Sequence, residues 1–248
     1  MKPKRMATSS CLIVVSILLL ISLSCTLFGP SLPKVISHPA PDISINTQPF
    51  EEAGCPSEYG FQRCSPNSSL GKLGCQQIRP PGDYLGGLEP NYAINICMTQ
   101  ATPAETKPPK EDYVYAEGCL LKQYLNYVIW EDGKFELIKS PSEFKSVYAP
   151  IETEVEALSY AMAVTGYSAH FGLEAQRSFR YYVDQIEDTL VTPLQNGFLV
   201  NLFDYRLCGC GPHPTYSVEI QVNSGGDWQE INRVRIYEDP EQDDLCVD

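Results

Sequence analysis

Hydrophobic and polar positions follow the period of a helix in the stretch Thr153–Gly166, TEVEALSYAMAVTG. Apolar residues in and just before this stretch recur at the intervals that align one face of a helix: Ile151, Val155, Leu158 and Met162. Thr153 and Glu156 have the spacing of a capping box, which satisfies free backbone N–H groups at a helix start. Gly166 stands where helices commonly end in a left-handed residue. The pattern predicts a helix here, buried on more than one side in its second half.

Period-two patterns after this helix predict a series of β-strands. The predicted strands are Phe179–Val183 (extending at most to Ile186), Thr189–Leu194, Phe198–Cys208, Thr215–Asn223 and Trp228–Glu238. Asn196-Gly197 and Ser224–Asp227 are predicted hairpin turns between them. Because each strand follows its neighbour after a short turn, the series predicts an antiparallel meander.

A hairpin and a short helix are predicted before the central helix. Leu120–Trp130 and Phe135–Ile138 are rich in β-forming residues and flank Asp132-Gly133, a typical turn pair. Ser140 precedes a proline and stands three residues before Glu143, which predicts the start of a short helix.

These elements together predict the α+β class, with one central helix packed on one face of a curved antiparallel meander. In shape this arrangement resembles cystatin-like and nuclear-transport-factor-like proteins. Gln221–Gly225 reads QVNSG and lacks the valine at the centre of the cystatin family's Q-x-V-x-G. The resemblance therefore implies a shape and no inhibitory residues.

The N-terminal half has no comparable periodicity. Cys55–Cys97 holds four cysteines among turn-forming residues, which predicts a disulfide-stapled loop region. The predicted organisation is a signal peptide at residues 1–24, a proline-rich tether at 25–54, a cysteine-rich loop region and linker at 55–111, and an α+β domain at 112–248.

The first residues have the pattern of a targeting segment. MKPKRM is basic, and the apolar run Cys11–Leu23 is too short to span a bilayer comfortably. Ser22-Leu23-Ser24 then precedes Cys25, and this arrangement resembles a bacterial lipoprotein signal. The resemblance implies lipidation of Cys25 and anchoring at the extracytoplasmic face of a bacterial membrane. Secretion after ordinary cleavage at the same bond is one alternative, and a retained anchor running to Phe28 is another.

The cysteines that remain after Cys11 of the predicted leader and Cys25 are set aside are even in number, as expected of a disulfide-bonded protein in an oxidising compartment. They are Cys55, Cys64, Cys75, Cys97, Cys119, Cys208, Cys210 and Cys246. Eight cysteines allow 105 pairings, so spacing cannot choose among them. Residues two apart in a strand lie near the upper limit for a direct disulfide, so Cys208 and Cys210 should bridge to different partners. Cys119 and Cys246 are the partners we expect first.

Charge narrows the choice of partners. The formal net charge is −13, and removal of the basic leader makes it more negative. Such acidity disfavours nucleic acid and anionic lipid surfaces. The expected partners are therefore the membrane, reached through the lipid on Cys25, and an unidentified protein or small-molecule ligand.

Motifs for catalysis are scarce. The sequence has no H-E-x-x-H, no P-loop and no G-x-S-x-G, and it holds three histidines. The turn CGCGPH places Cys208, Cys210 and His213 at a spacing that could bind zinc or copper, but outside the cytoplasm a disulfide-stapled turn is favoured. We therefore expect a non-catalytic binding or structural module without a cofactor. The alternatives are a metal-binding or redox protein using that turn, and a hydrolase with an unrecognised acidic site.

Overall fold

The computed structural model describes residues 31–58, 61–99, 107–119 and 122–247. Of these residues 37% lie in strands and 19% are helical, so the chain is mostly β. The predicted signal peptide and the predicted lipidation residue Cys25 lie outside the described residues.

Strands account for most of the regular structure, and helices are short. The strands are β1 (Lys34–Ile36), β2 (Ser57–Glu58), β3 (Phe61–Arg63), β4 (Gln77–Arg79), β5 (Ala93–Met98), β6 (Tyr115–Glu117), β7 (Gln123–Glu131), β8 (Lys134–Ile138), β9 (Arg180–Tyr181), β10 (Gln185–Glu187), β11 (Leu190–Leu194), β12 (Gly197–Tyr205), β13 (Gly209–Cys210), β14 (Pro214–Val222), β15 (Trp228–Glu238) and β16 (Cys246–Val247). The α-helices are α1 (Gln48–Glu51), α2 (Ser69–Lys72), α3 (Pro141–Tyr148) and α4 (Glu154–Thr165). Single 3₁₀ turns lie at Asp83–Gly87, Lys110–Asp112 and Pro240–Gln242.

The first sheet is antiparallel and has the strand order β2-β3-β4-β5-β7-β6, with β8 also paired to β7. Strand β5 pairs with β7 from Ala93 opposite Trp130 to Cys97 opposite Asn126. A strand from the predicted cysteine-rich loop region is thus hydrogen-bonded along its length to a strand of the predicted final domain.

The second sheet is also antiparallel and has the order β11-β12-β14-β15-β9. Strands β12 and β14 pair from Phe198 opposite Val222 to Tyr205 opposite Thr215. Strand β9 reaches only the end of β15, at Tyr237 and Glu238. Two small pairs lie apart from the large sheets: β1 runs parallel to β10, and β13 pairs with β16.

Helix α4 confirms the helix predicted from the apolar stripe. Thr153 and Glu156 form the predicted capping box, in which each side chain bonds to the other residue's backbone N–H. Gly166 ends the helix at a φ of 73°, a left-handed conformation that glycine adopts without steric cost. Leu158 and Met162 are buried, and so is every other helix residue from Glu156 to Val164.

The predicted fold class is wrong, because α4 does not lie on a single meander. The structure is mostly β, with short helices and a half-barrel sheet. One side of α4 packs on β11, β12 and β14 of the second sheet. On the first sheet, the Tyr127 hydroxyl donates a hydrogen bond to the Ala163 carbonyl at 3.1 Å. A helix that is apolar nearly all round needs a cover on more than one side, and the first sheet supplies the second cover. The resemblance in shape to cystatin-like and nuclear-transport-factor-like proteins therefore does not hold.

Several individual elements were predicted correctly. The hairpin of β7 and β8 and the strands β11, β12, β14 and β15 confirm the predicted segments within a few residues. Helix α3 begins after Ser140, whose hydroxyl accepts the Glu143 backbone N–H as predicted. The segment from Phe179 towards Ile186 is not one strand, because β9 pairs with β15 whereas β10 pairs with β1.

Two hydrophobic cores lie on opposite faces of the first sheet. The main core fills the space between the two sheets around α4, and it includes Ile96, Tyr127, Leu158 and Val218. The second core lies on the other face of the first sheet, where Phe50 and Leu70 pack beside Val128 and buried disulfide cysteines. The first sheet is therefore covered on both faces.

The segment before Cys55 contacts the rest of the chain. Strand β1 pairs with β10, and the His38 backbone N–H donates to Asp188 Oδ1 at 2.9 Å. Further along, Phe50 is buried in the second core. From Lys34 onward the predicted tether thus lies against the folded body.

The eight cysteines form four disulfides: Cys55–Cys64, Cys75–Cys97, Cys119–Cys208 and Cys210–Cys246. Cys208 and Cys210 bridge to different partners as expected, and these partners are the two expected cysteines, Cys119 and Cys246. Several disulfides are typical of an extracellular or secreted protein. Within the described ranges, no helix has both the length and the apolar composition needed to cross a membrane.

Candidate binding cleft

A cleft of about 590 Å³ lies between the first sheet and the C-terminal end of α4. This volume is in the range of sites for small molecules, which commonly lie where structural layers meet. Its lining combines charged, aromatic and apolar side chains. The first sheet contributes Arg79, Ile96, Tyr115, Glu117 and Tyr127; the 3₁₀ turn and the prolines before it contribute Pro80 to Leu85; and α4 with the segment after it contributes Met162 and Gly166 to Ala169.

An ion pair joins two strands of the first sheet across this cleft. Arg79 is the last residue of β4, and Glu117 is the last residue of β6. Strands β5 and β7 lie between them in the sheet, yet Arg79 Nη2 is 2.6 Å from Glu117 Oε2. Arg79 and Glu117 keep 28% and 35% of their side-chain surfaces exposed, so both charges remain accessible from the cleft. Asp83, in the 3₁₀ turn, adds an exposed carboxylate to the lining.

The turn that carries Tyr84 is held tightly against α4. The Ser159 hydroxyl in α4 donates a hydrogen bond to the Tyr84 carbonyl. A side chain at Gly87 would meet Val155 Cγ1 at 2.4 Å, so the absence of a Cβ lets the turn approach the helix this closely. These contacts position Tyr84 beside the cleft.

The other wall is positioned by the end of α4. A Cβ on Gly166 would meet Tyr115 Cδ2 at 2.6 Å, so the helix end lies directly on that tyrosine ring. Ser168 then exchanges backbone hydrogen bonds of 2.9 Å with Phe203 of β12, which ties the wall to the second sheet. The Tyr167 hydroxyl donates to Glu230 and accepts from Arg233. The second sheet thus holds in place the segment after α4 that forms this wall.

Two buried tyrosines and one arginine of the cleft keep fixed protonation states near neutral pH. Burial raises the pKa of Tyr115 to about 12, although the nearby Arg79 lowers it. Burial also raises the pKa of Tyr127 well above its ordinary value. Burial alone would lower the pKa of Arg79, but Tyr115 and Glu117 outweigh this effect and raise it. The cleft therefore presents neutral phenols beside a permanent guanidinium.

The turn CGCGPH does not offer thiolates for a metal in this disulfide-bonded structure. Cys208 and Cys210 are bonded to Cys119 and Cys246. His213 is buried, and its Nε2 lies 3.2 Å from the Leu245 carbonyl oxygen. Among the residues that the structure describes, no three His, Cys, Asp or Glu side chains cluster as metal ligands would. The two cysteines and the histidine therefore fix a turn.

Sequence patterns alone do not single out the charged residues of the cleft. Tyr115 and Glu117 have the spacing of two residues on one face of a strand, and Pro80-Pro81-Gly82 marks a turn after Arg79. Neither signal indicates that β4 and β6 lie near each other, because that proximity depends on the order and curvature of the sheet.

Comparison of the chain with protein-family models, with curated proteins and with solved structures finds no match.

Proposed function

We propose that this protein is a non-catalytic, extracytoplasmic binding module whose ligand occupies the cleft between the first sheet and α4. The observation that carries this proposal is the accessible Arg79–Glu117 pair inside a concave lining that also presents aromatic and apolar side chains. A few charged groups in an apolar concavity are typical of ligand sites, where the charges orient the ligand and the apolar surface supplies affinity.

The chemistry of the cleft supports binding in preference to turnover. A general acid or base works best with a pKa near the operating pH. Tyr115 stays protonated, and Glu117 is held as the partner of Arg79. The metal and redox alternative has less support, because both cysteines of the CGCGPH turn form disulfides and neither is a free thiolate.

Cys25 is the proposed lipid anchor, on the sequence resemblance of the leader to a bacterial lipoprotein signal. The four disulfides agree with an extracytoplasmic location. Because the chain contacts the body from Lys34 onward, at most about 30 Å of extended chain separates Cys25 from the folded body. The binding module would then work close to the membrane surface.

Fractionation of the native host tests the anchor. Cys25→Ala should move the protein from membranes to the soluble fraction and remove the acyl mass. Wild-type protein that is soluble and carries no acyl group would exclude the anchor and favour ordinary secretion.

Fragment screening by protein NMR tests the cleft. We expect bound fragments to shift the resonances of Ile96, Tyr115 and Met162. Gly82→Leu should abolish these shifts, because Gly82 lines the cleft and a leucine side chain there would occupy the ligand's space. The fold should tolerate the substitution, because Gly82 has an ordinary φ of −63° and a Cβ there would meet only Met162 Cε, at 4.0 Å. Ser178→Leu, an exposed site outside the cleft lining, is the control and should bind as wild type does. Binding that survives Gly82→Leu would place the ligand elsewhere and contradict the proposal.

A further inference from the structure

The cleft contains two opposite charges that belong to neighbouring side chains. Arg79 and Glu117 are in direct contact at 2.6 Å, yet about a third of each side chain is still exposed. A ligand that fills the cleft removes water from both groups. Their mutual contact satisfies only part of their hydrogen-bonding capacity, because a guanidinium has five donors and a carboxylate accepts several hydrogen bonds. A bound ligand must therefore replace water at a positive and a negative group at once.

Ligands of a single charge meet this requirement only in part. An anion would replace water at Arg79 and leave Glu117 desolvated, whereas a cation would do the reverse. Burying polar groups without hydrogen-bond partners is costly, and an apolar ligand would leave the donors and acceptors outside the Arg79–Glu117 contact without any. The overall charge of −13 further disfavours anions through long-range repulsion.

Aromatic rings next to the charges favour an ammonium group. Tyr84, Tyr115 and Tyr167 line the cleft together with Glu117 and the exposed carboxylate of Asp83. Cations bind favourably over tyrosine rings, and a carboxylate nearby adds to this attraction. Arg79 is the matching group for a carboxylate, which its planar guanidinium can bind through two hydrogen bonds.

We infer that the cleft binds a free α-amino acid, with the ligand's carboxylate at Arg79 and its ammonium at Glu117 among the tyrosines. The two ligand charges must be adjacent because the two protein charges are adjacent, and this excludes a peptide whose termini lie far apart. Ile96, Met162 and the tyrosine rings would contact an apolar or aromatic side chain of the ligand. This inference rests on the proposed function and names the ligand class of the same site.

Calorimetry with three compounds of similar shape tests the inference. The compounds are L-phenylalanine, 2-phenylethylamine, which lacks the carboxylate, and 3-phenylpropanoate, which lacks the ammonium. We expect phenylalanine to bind wild-type protein at least about tenfold more tightly than either singly charged compound. Each of those compounds lacks one of the two charged groups and therefore loses its charge-assisted hydrogen bonds to the protein.

Substitutions at the two charges sharpen the test. Arg79→Gln should lower the affinity for phenylalanine to that for phenylethylamine, and Glu117→Gln should lower it to that for phenylpropanoate. Arg79→Lys keeps the charge and should retain part of the preference. The comparison of the three compounds on wild-type protein needs no variant, so it holds even if a substitution prevents folding.

The outcomes separate the two proposals. If a singly charged compound binds as tightly as phenylalanine, or if phenylalanine fails while other fragments occupy the cleft, the inferred ligand class is wrong and the binding cleft remains. If phenylalanine fails and no fragment binding is sensitive to Gly82→Leu, both the ligand class and the proposed function are wrong.

Discussion

The two sheets of this protein are stabilised in different ways. The first sheet is covered on both faces: neighbouring residues of β7, Val128 and Ile129, are both buried, one in the second core and one in the main core. The second sheet buries one face against α4. Its other face is covered only in part, by a small core that includes Phe203 and Ile236, and Ser217, Glu219 and Gln221 of β14 remain partly exposed there. The first sheet also holds two disulfides near its strands, whereas the second is bordered by ion pairs along β15.

This difference explains which parts of the fold the sequence patterns revealed. A strand with one wet face alternates between apolar and polar residues, and β14 does so without exception from Tyr216 to Asn223. A strand covered on both faces has no such alternation, and all six residues of β5 are buried. Four predictions test this contrast between the two sheets, in order from the largest expected effect on stability to the smallest.

The strongest test concerns the layer that both sheets share. Leu158 of α4 is 2% exposed, and Leu158→Asp would bury an unpaired carboxylate in the main core. We expect a loss of more than about 4 kcal/mol in the free energy of unfolding, which would leave little folded protein. Glu154→Asp, on the exposed first turn, is the matched control and should melt as wild type does. A Leu158→Asp protein with an unchanged melting temperature would show that α4 is misplaced.

Disulfide removal should affect the first sheet more than the end of the chain. Cys75 and Cys97 are both buried in the second core, so the Cys75→Ser, Cys97→Ser double variant loses a covalent link and buries two hydroxyls. We expect a cost of about 2–5 kcal/mol, measured by urea unfolding.

Cys210 and Cys246 provide the comparison. They are exposed and link two strands of two residues, so the corresponding double serine variant should cost clearly less. Equal costs for the two double variants would mean that burial of the bridge contributes nothing beyond the link itself.

Neighbouring residues within one strand test the contrast most directly. In β7, Ile129→Ala should cost about 2–5 kcal/mol and Val128→Ala about 2 kcal/mol, because the two side chains occupy different cores. In β14, Ile220→Ala should cost about 2–5 kcal/mol, whereas Glu219→Ala should stay within about 0.5 kcal/mol. Urea unfolding of the four variants measures this pattern. A negligible effect at Val128 would show that the second core does not stabilise the first sheet.

The smallest effect concerns acid sensitivity at the border of the second sheet. Burial alone would raise the pKa of Glu238, but hydrogen bonds from Tyr182, Arg235 and Arg180 outweigh burial and lower the pKa below its ordinary value of 4.5. Glu238 therefore contributes stability above pH 4.5, and this contribution is lost as the pH falls through the lower pKa of the folded state.

Urea midpoints measured between neutral pH and pH 3 check this expectation. The midpoint should fall less steeply with acid in Glu238→Gln than in wild type. Glu219→Gln, on the partly exposed face of the same sheet, is the control. Identical pH profiles for Glu238→Gln and wild type would mean that the arginine contacts of Glu238 do not stabilise the fold.

Local sequence signals were enough for the elements whose physics is local. The capping box at Thr153 and Glu156, the glycine at the end of α4 and the turn at Asp132-Gly133 each depend on residues a few positions apart. The pairing of Cys208 and Cys210 with separate partners also followed from strand geometry. None of the charged cleft residues could be found in this way, because Arg79 and Glu117 meet only through the arrangement of the sheet.

By itself, the sequence determined the helix α4, most strands of the second sheet and the oxidised state expected of its eight cysteines. The helix and the strands depend on capping and on period-two alternation, which involve residues a few positions apart. The oxidised state follows from the number of cysteines in the chain. Only the tertiary structure decided that α4 lies between two sheets, that β5 pairs with β7, and that an ion pair spans the cleft. Those features depend on contacts between distant segments, and short strands buried on both faces leave no periodic signal from which such contacts could be predicted.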